Sequence, residues 1–314
     1  MRTKIFTSKQ LKKAAQLIKN GELVAFPTET VYGLGANALE PKAVKKIFKA
    51  KGRPADNPLI VHISKEEQLH ELAFTTPKTK KLIQKFWPGP LTIVLKKKKI
   101  IPKEVTGGLD TVAVRMPKDK IALKFIELAG VPIAAPSANI SGKPSGTSFA
   151  HVFEDFNGTI AGIIKSYSCE IGLESTVIDL TTKTPVLLRP GGVSFERLKK
   201  VLPDLILASN KRIREVKSPG VKYKHYSPNA KIILFEKNAI NKMEHHRIKY
   251  EKHNKKVKII SPEKTKKFSK KLFNMFRQCD KEKVDIILIS PVDEKGIGLA
   301  IMNRIRKAAS KIAT

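Results

Sequence analysis

Acidic residues, aromatic residues and cysteine are all scarce in this chain. Of its 314 residues, 28 are Asp or Glu, 6% are aromatic and two are cysteine. Cys169 and Cys279 show no CxxC or histidine spacing, which excludes the usual zinc-site patterns, and we expect both to be reduced and structural. No apolar run approaches the roughly 18 residues of a membrane span, and the first residues lack the apolar segment of a signal peptide. We therefore expect a globular, cytoplasmic protein.

Lysine and arginine, in contrast, are abundant. The chain has 61 Lys and Arg side chains and a formal net charge of +33, an excess that favours a polyanionic partner or substrate. The lysine-rich surface of a thermophile, or an AT-rich genome, explains the same excess, so the charge alone leaves both interpretations open. Residues 211–314 hold 28 basic and 10 acidic side chains, a net charge of +18. The positive charge is therefore denser in the last third of the chain.

Short apolar runs alternate with amphipathic helical patterns, which is typical of an α/β protein. This alternation predicts a first domain over residues 1–205. The polar, proline-containing segment 206–229 reads as a linker. Residues 230–314 then predict a smaller α/β domain of Rossmann-like organisation, but no G-x-G-x-x-G follows its first strand, which argues against a dinucleotide site there.

The segment KAKGRPADNPLIVH, residues 49–62, concentrates cations in front of a buried strand. A helix that ends at Lys51 delivers Arg53 into a loop stiffened by Pro54 and Pro58. Arginine binds phosphate oxygens in pairs, lysine supplies a point charge, and Asn57 can donate to a nucleotide. The segment is therefore a candidate phosphate site, although a solvated basic loop between a helix and a strand would look the same.

Polar side chains also follow several other predicted strands. The segments FPTETVYGLGANA, RMP, APSANISGKPSGTS, GLESTVIDL and LLRPGG each place hydroxyl, amide or guanidinium groups at or near a strand end. In the first of these segments the chain is expected to turn through Gly33 and Gly35. Each segment alone is explained by turn chemistry, but together they predict one polar, cationic cleft. Its candidate residues are Thr28, Thr30, Arg115, Ser137, Asn139, Ser141, Ser145, Thr147, Ser175, Thr176 and Arg189.

Two further motifs, KAKGRPADNPLIVHI and FWPGPLTIVL, lie between the first and the second of these five segments. Together the seven motifs, in their order along the chain, resemble the threonylcarbamoyl-AMP synthase family. The resemblance covers roughly residues 8–203 and extends through a linker of the type SPGVKYKHYSP into the C-terminal domain. It implies a YrdC-like fold, an open twisted mixed sheet with helices, plus a smaller Rossmann-like α/β C-terminal domain. It also implies that threonine, bicarbonate and ATP become threonylcarbamoyl-AMP and pyrophosphate, for the modification of an adenosine in tRNA.

The resemblance further assigns residues to the substrates. The implied ATP contacts are Lys51, Arg53, Asn57, Asn139, Ser145 and Arg189. The implied threonine contacts are Thr30, His62, Arg115, Ser137 and Ser175, although a histidine held inside a strand for structural reasons remains an alternative for His62. Mg²⁺ bound mainly through the ATP phosphates is expected, without a protein-bound metal or organic cofactor. The expected partners are the three substrates, a downstream threonylcarbamoyl transferase, and possible tRNA or double-stranded RNA.

The linker segment GVKYKHYSP interleaves lysines with aromatic side chains, a composition able to stack on adenine or to cover phosphates. His225 and Tyr226 are therefore predicted to join the ATP site as part of a lid, with a passive tether as the alternative.

Two other functions stay open. A double-stranded RNA or ribosome-binding module would use the charge, and a carbamoyl-transfer domain of the hydrogenase-maturation type shares the fold. The second ranks last because the chain has too few cysteines for the accompanying zinc finger.

Overall fold

The structure, a computed structural model, describes residues 2–208, 226–262 and 265–314. The chain divides into two compact units, each with its own sheet. The first unit comprises the described residues of Met1–Ser141 and Ser145–Lys222, and the second those of Gly142–Pro144 and Tyr223–Thr314. The predicted boundaries at residues 205 and 229 stay predictions, because most of the predicted linker lies outside the described residues.

An 11-stranded sheet organises the first unit, with the strand order β1-β8-β2-β3-β7-β4-β6-β5-β9-β10-β11. Parallel and antiparallel neighbours both occur, for example β4 with β6 and β5 with β6, so the sheet is mixed as predicted. The strands are β1 Lys4–Phe6, β2 Val24–Phe26, β3 Gly33–Asn37, β4 Ile60–His62, β5 Leu91–Lys96, β6 Thr111–Arg115, β7 Ile133–Ala134, β8 Gly162–Ile164, β9 Thr176–Asp179, β10 Val186–Arg189 and β11 Ile206–Leu207.

The helices of the first unit form where the sequence has an apolar face, and they begin and end at recognisable capping residues. In the first helix Leu11, Ala14 and Ile18 are buried on one side, while the second has Pro41 in its first turn and ends at Gly52, whose φ of 61° favours glycine. The helices are α1 Leu11–Lys19, α2 Pro41–Lys51, α3 Glu67–Leu72, α4 Pro77–Phe86, α5 Lys103–Thr106, α6 Lys120–Ala129, α7 Phe149–Phe156 and α8 Phe195–Lys199.

One packing contact of this unit leads directly to the predicted site. The rings of Phe26 and Phe125 lie 5.3 Å apart inside a cluster of buried apolar side chains that joins α1 and α6 to β2. The Phe26 ring also makes an edge contact with His62, with ring centroids 5.9 Å apart. The apolar core therefore supports the imidazole of His62 at the end of β4.

The predicted strand in VPIAAPSAN is shorter than its apolar length suggests. Only Ile133 and Ala134 pair as β7, because Pro132 and Pro136 lack the backbone N–H that a sheet requires.

Helix α4 was not predicted, although its start carries a clear signal. Thr76 caps it by accepting a hydrogen bond from the backbone N–H of Thr79.

The second unit contains a four-stranded sheet with the order β13-β14-β12-β15, in which every neighbouring pair is parallel. Its helices alternate with these strands, which confirms the predicted smaller α/β domain. The elements are β12 Lys231–Phe235, α9 Met243–Glu251, β13 Val257–Ile260, α10 Thr265–Lys281, β14 Ile286–Ile289, α11 Gly298–Ala308 and β15 Lys311–Ala313.

Both cysteine side chains lie in the interior of the protein. Cys169 and Cys279 are free and buried, and burial raises the pKa of their thiols to about 12 and about 11. Neither thiol is ionised near neutral pH, in agreement with the predicted structural role. Within the described residues, no helix is both long and apolar enough to span a lipid bilayer.

Candidate active site

Arg115 occupies the centre of the predicted threonine pocket. It ends β6 directly beside His62, its register partner at the end of the parallel strand β4. The guanidinium is 3% exposed; its Nη1 donates to Thr30 Oγ1 at 2.8 Å and its Nε to the Gly89 carbonyl at 3.3 Å. Arg115 Nη2 lies 2.8 Å from Glu29 Oε1. Neither of these two atoms makes a hydrogen bond within the described residues, so the contact is an ion pair.

Glu29 was not among the predicted site residues. Its side chain is 6% exposed and its Oε2 has no hydrogen-bond partner among the described residues. A buried carboxylate needs a paired cation, and Arg115 supplies one. The available signal was the position of Glu29 between Thr28 and Thr30, in a segment already identified as polar and buried. The pocket therefore contains one group of each charge.

Hydroxyl groups hold the turn that carries Glu29. Thr28 Oγ1 donates to the Val31 carbonyl at 2.6 Å and lies 2.8 Å from Thr30 Oγ1. Gly33 and Gly35, which follow, lie inside β3 rather than at a turn. A Cβ on Gly35 would approach Ile133 Cγ2 to 2.8 Å, so this glycine is required for close packing of the strands.

His62 is buried and uncharged near neutral pH. Desolvation, followed by the nearby Arg115 cation, lowers the pKa of the imidazole to about 3. Its Nδ1 makes no hydrogen bond within the described residues. A neutral imidazole with an open nitrogen beside Arg115 can bind a polar ligand, and it is also compatible with the structural alternative.

Ser175 and Arg189 connect the two predicted substrate sites. The Ser175 hydroxyl lies 2.7 Å from Thr92 Oγ1, and Arg189 donates to it from Nη2 at 3.2 Å and to the Ser175 carbonyl from Nε at 3.1 Å. Ser175 was assigned to threonine and Arg189 to ATP. The structure brings the two side chains into direct contact, so the two predicted sites would adjoin here.

Lys51 ties the end of α2 to the loop after β7. Its side chain is 2% exposed, and its ammonium donates to the carbonyl of Ser137 at 2.6 Å and to the carbonyl of Asn139. Ser137 Oγ in turn donates to Asn139 Oδ1 at 2.6 Å, and Asn139 Nδ2 donates to the Ile140 carbonyl at 2.8 Å. Lys51 therefore positions the loop that presents Ser137 and Asn139.

Arg53 and Asn57 share the loop between α2 and β4. Arg53 Nη2 donates to the carbonyls of Asn57 at 3.3 Å and of Pro58 at 3.2 Å. The Asn57 side chain is 2% exposed, and its Nδ2 has no hydrogen-bond partner among the described residues. A buried amide donor without a partner lowers the stability of the fold, and such donors are typical of sites that bind a ligand.

Ser145 binds a second carboxylate that sequence reasoning missed. Its hydroxyl donates to Glu174 Oε1 at 2.5 Å, and both side chains are buried. Glu174 directly precedes Ser175 in the motif GLES, so its neighbours were the available signal.

The two linker residues predicted to contact ATP have different outcomes. His225 lies outside the described residues. The Tyr226 ring is buried in the second unit, stacked on Phe273 with centroids 5.4 Å apart and with the Arg304 guanidinium 5.5 Å from its centre. The described contacts of Tyr226 are thus packing contacts, and its contact with ATP stays a prediction.

Comparison with known proteins agrees with this arrangement over nearly the full chain. The Sua5/YciO/YrdC family model, described as telomere recombination, matches residues 16–191, and the model of the threonylcarbamoyl-AMP synthase C-terminal domain matches residues 193–310. The threonylcarbamoyl-AMP synthase of Pyrococcus abyssi is 51% identical, covering 96% of this chain and 94% of its own length. The threonylcarbamoyl-AMP synthase of Bacillus subtilis is 43% identical, with coverages of 96% and 93%.

A solved structure extends the comparison to the fold. The crystal structure of P. abyssi Sua5 complexed with L-threonine aligns with a TM-score of 0.95 and 48% identity, covering 99% of this chain and 100% of that one. The match includes both the large mixed sheet and the C-terminal unit. This chain therefore belongs to the threonylcarbamoyl-AMP synthase family.

Proposed function

We propose that the protein catalyses the formation of threonylcarbamoyl-AMP and pyrophosphate from threonine, bicarbonate and ATP, as a nucleotidyltransferase. The observation that carries the proposal is the buried Arg115–Glu29 pair beside Thr30. A free amino acid is a zwitterion, and this pair offers a cation for its carboxylate and an anion for its ammonium. The threonine bound to P. abyssi Sua5 supports threonine as this amino acid.

On the threonine side, Arg115 would bind the carboxylate in a bidentate manner. Thr30, Ser137 and Ser175 would hydrogen-bond the amine and the side-chain hydroxyl, and the open nitrogen of His62 would complete the pocket. A site that hydrogen-bonds a substrate hydroxyl strongly rejects an analogue that lacks it. The same pocket therefore favours threonine over an amino acid such as valine.

On the ATP side, Arg53 and Asn57 would bind from the loop before β4, and Asn139, Ser145 and Arg189 from the facing strand ends. Lys51 would act partly through its hydrogen bonds to the Ser137 and Asn139 carbonyls. We propose that His225 and Tyr226 contribute from the linker. These groups surround the triphosphate with positive charge and amide donors.

The chemistry needs positioning more than covalent catalysis. After the threonine ammonium loses a proton to solvent, the free amine attacks bicarbonate to give a carbamate and water. A carbamate oxygen then attacks the α-phosphorus while the bond to pyrophosphate breaks. Arg53, Arg189 and the amide donors would stabilise the charge that develops on the phosphate oxygens. No nucleophilic side chain of the enzyme takes part in either step.

The residues present fit a Mg²⁺ ion held mainly by phosphates. In the described part of the chain, no group of three or more His, Cys, Asp or Glu side chains could hold a metal ion. Glu174 and Ser145 provide one buried carboxylate and one hydroxyl on the ATP side, and Mg²⁺ in such sites takes one or two protein ligands plus phosphates and water. Mg²⁺ bound there would supply neutralisation of the leaving pyrophosphate.

The product requires a partner that consumes it. A mixed anhydride of a carbamate and AMP is reactive, so we propose transfer to a downstream threonylcarbamoyl transferase that acts on tRNA, in the cytoplasm. A non-catalytic RNA-binding module explains less, because a surface that reads RNA by shape has no use for a buried Arg–Glu pair.

The test measures pyrophosphate release with threonine, with serine, with valine and with no amino acid, each with and without bicarbonate and Mg²⁺. Arg53→Ala is compared with Lys42→Ala, which removes an exposed cation at the opposite end of α2. Release that needs threonine, bicarbonate and Mg²⁺ and is lost in Arg53→Ala alone supports the proposal. Release without threonine, or equal rates in the two variants, contradicts it.

A further inference from the structure

A cavity of about 660 Å³ opens within the second unit, and none of the residues assigned above lines it. Lys231, Ile286 and Lys311, the first residues of β12, β14 and β15, line it. Because these strands are parallel, their amino ends lie at one edge of the sheet. The usual ligand site of such a sheet lies at the opposite, carboxyl edge. The cavity is therefore not the dinucleotide site that a Rossmann-like fold would suggest.

The inner part of the cavity is apolar and includes one aromatic ring. Ile233 and Ile286 are buried, and Tyr250 of α9 packs against the same apolar cluster. The Tyr250 ring lies 6.1 Å from that of His246, which fixes it on one side. A flat, partly buried ring next to aliphatic side chains can stack on a planar base, and such stacking does not depend on which base it is.

The outer part of the cavity is positively charged. Lys231, Lys249 and Lys311 are exposed, and within the described residues none of them makes an ion pair. Lys255 also lines the cavity, but Asp285 lies 3.7 Å from its Nζ and offsets its charge. A cavity with several unbalanced lysines attracts an anion.

Lys249 and Lys311 reach the same place from different elements, α9 and β15. Both line the cavity that also holds the Tyr250 ring. Two cations in one cavity can bind a single anion beside that ring. The ring can stack on a nucleotide base while the two lysines bind its phosphate.

We propose that this cavity binds one nucleotide unit, with the base on Tyr250 and the phosphate between Lys249 and Lys311. The unit is either a free nucleoside monophosphate or one nucleotide of a single-stranded RNA. The net charge of +18 over residues 211–314 favours the polymer, because a polyanion gains more from a high positive charge than a single phosphate does. Lysines rather than a glycine-rich loop hold the phosphate, so binding is strongly salt-dependent.

The experiment uses the full chain and three probes: AMP, inorganic phosphate and a 12-nucleotide single-stranded RNA. Dissociation constants are measured for the wild type, Tyr250→Leu and the double variant Lys249→Gln, Lys311→Gln. The control is Lys270→Gln, Lys271→Gln, which removes the same charge from exposed positions of α10 that do not line the cavity. Hydrogen exchange of residues 243–251 and 311–313 reports whether a probe occupies the cavity.

We expect AMP or the RNA to protect these amides, with affinity falling at least about fivefold in Tyr250→Leu, as loss of base stacking predicts. The double variant should lose about tenfold, with a salt dependence shallower by about 0.7 for the lost phosphate contact, and the control should match the wild type. RNA that binds far more tightly than AMP identifies the polymer as the ligand, and equal affinities identify the free nucleotide.

Three results would overturn the proposal. They are equal affinities of the cavity and control variants, phosphate binding as tightly as AMP, or no protection of α9 and β15 by either nucleotide probe. The double variant replaces exposed side chains and therefore keeps the test valid if Tyr250→Leu folds poorly. Threonine-dependent pyrophosphate release should be unchanged in every variant, so failure here is distinguishable from failure of the proposed function.

Discussion

Asn57 and Asn139 are both assigned to ATP, yet the structure predicts opposite effects on stability when each is changed to leucine. The Asn57 amide is 2% exposed and its Nδ2 donates to nothing among the described residues. A buried donor without a partner costs about 1–3 kcal/mol. Leucine has the same number and branching of heavy atoms, but its methyl groups are bulkier, so we expect a net gain of about 1 kcal/mol. This corresponds to a thermal midpoint about 2–4 °C higher.

Asn139 provides the matched control, because its amide is fully engaged. Ser137 Oγ donates to its Oδ1 at 2.6 Å and its Nδ2 donates to the Ile140 carbonyl at 2.8 Å. Asn139→Leu leaves that hydroxyl and that carbonyl without partners, so the thermal midpoint should fall by about 2–8 °C, for a cost of about 1–2 kcal/mol.

Differential scanning calorimetry gives both midpoints, and pyrophosphate release at varied ATP concentration gives the KM. Both variants should raise the KM for ATP, by about threefold to tenfold for one lost hydrogen bond. A lower midpoint for Asn57→Leu together with an unchanged KM for ATP would refute the reasoning, because the open amide would then be neither costly nor used by ATP.

Three further predictions concern buried ionisable side chains. Glu29→Gln and Arg115→Gln should each cost about 3–5 kcal/mol by leaving the partner charge buried alone, and the double variant should cost less than their sum; urea denaturation of all four proteins measures this coupling, and simple additivity would contradict the pair. His62 has a pKa near 3 in the folded chain and 6.5 when unfolded, so the unfolded state alone gains a proton as the pH falls below 6.5, and stability falls with it. His62→Gln should therefore lose less stability than the wild type between pH 7 and pH 5. Urea denaturation at both pH values measures this, and an equal fall of the urea midpoint in the two proteins would contradict it. Lys51→Met should lower the thermal midpoint and the ATP affinity together, because two loop carbonyls lose their charge-assisted donor; a change in affinity alone would show that Lys51 acts on ATP without positioning the loop.

The architecture was predictable because its signals are local. Alternating apolar runs and helix end signals indicated both α/β units, and the order of the motifs indicated the family. Where the prediction failed, a tertiary contact decides the outcome. Gly35 was interpreted as part of a turn, but it lies in β3, where the absence of a Cβ lets Ile133 of the neighbouring strand pack closely. No local sequence pattern contains that proximity.

The missing site residues have a similar cause. Glu29 and Glu174 were not predicted as site residues, because a carboxylate is unfavourable in a cleft that binds phosphate. Strand pairing brings Arg115 within 2.8 Å of Glu29 and makes that carboxylate tolerable. Similarly, the sequence shows that Lys51 is positive but not that carbonyls of a loop 86 and 88 residues away already bind its ammonium.

The contact between Ser175 and Arg189 has a consequence for the kinetics of the enzyme. If one side chain touches threonine and the other touches ATP, the shared hydrogen bond makes the affinity for each substrate depend on the presence of the other. Such heterotropic coupling is reciprocal, so threonine must change the affinity for ATP by the same factor as ATP changes the affinity for threonine. With positive coupling, a cell short of threonine would leave most of the enzyme without nucleotide, and ATP would be spared from unproductive hydrolysis.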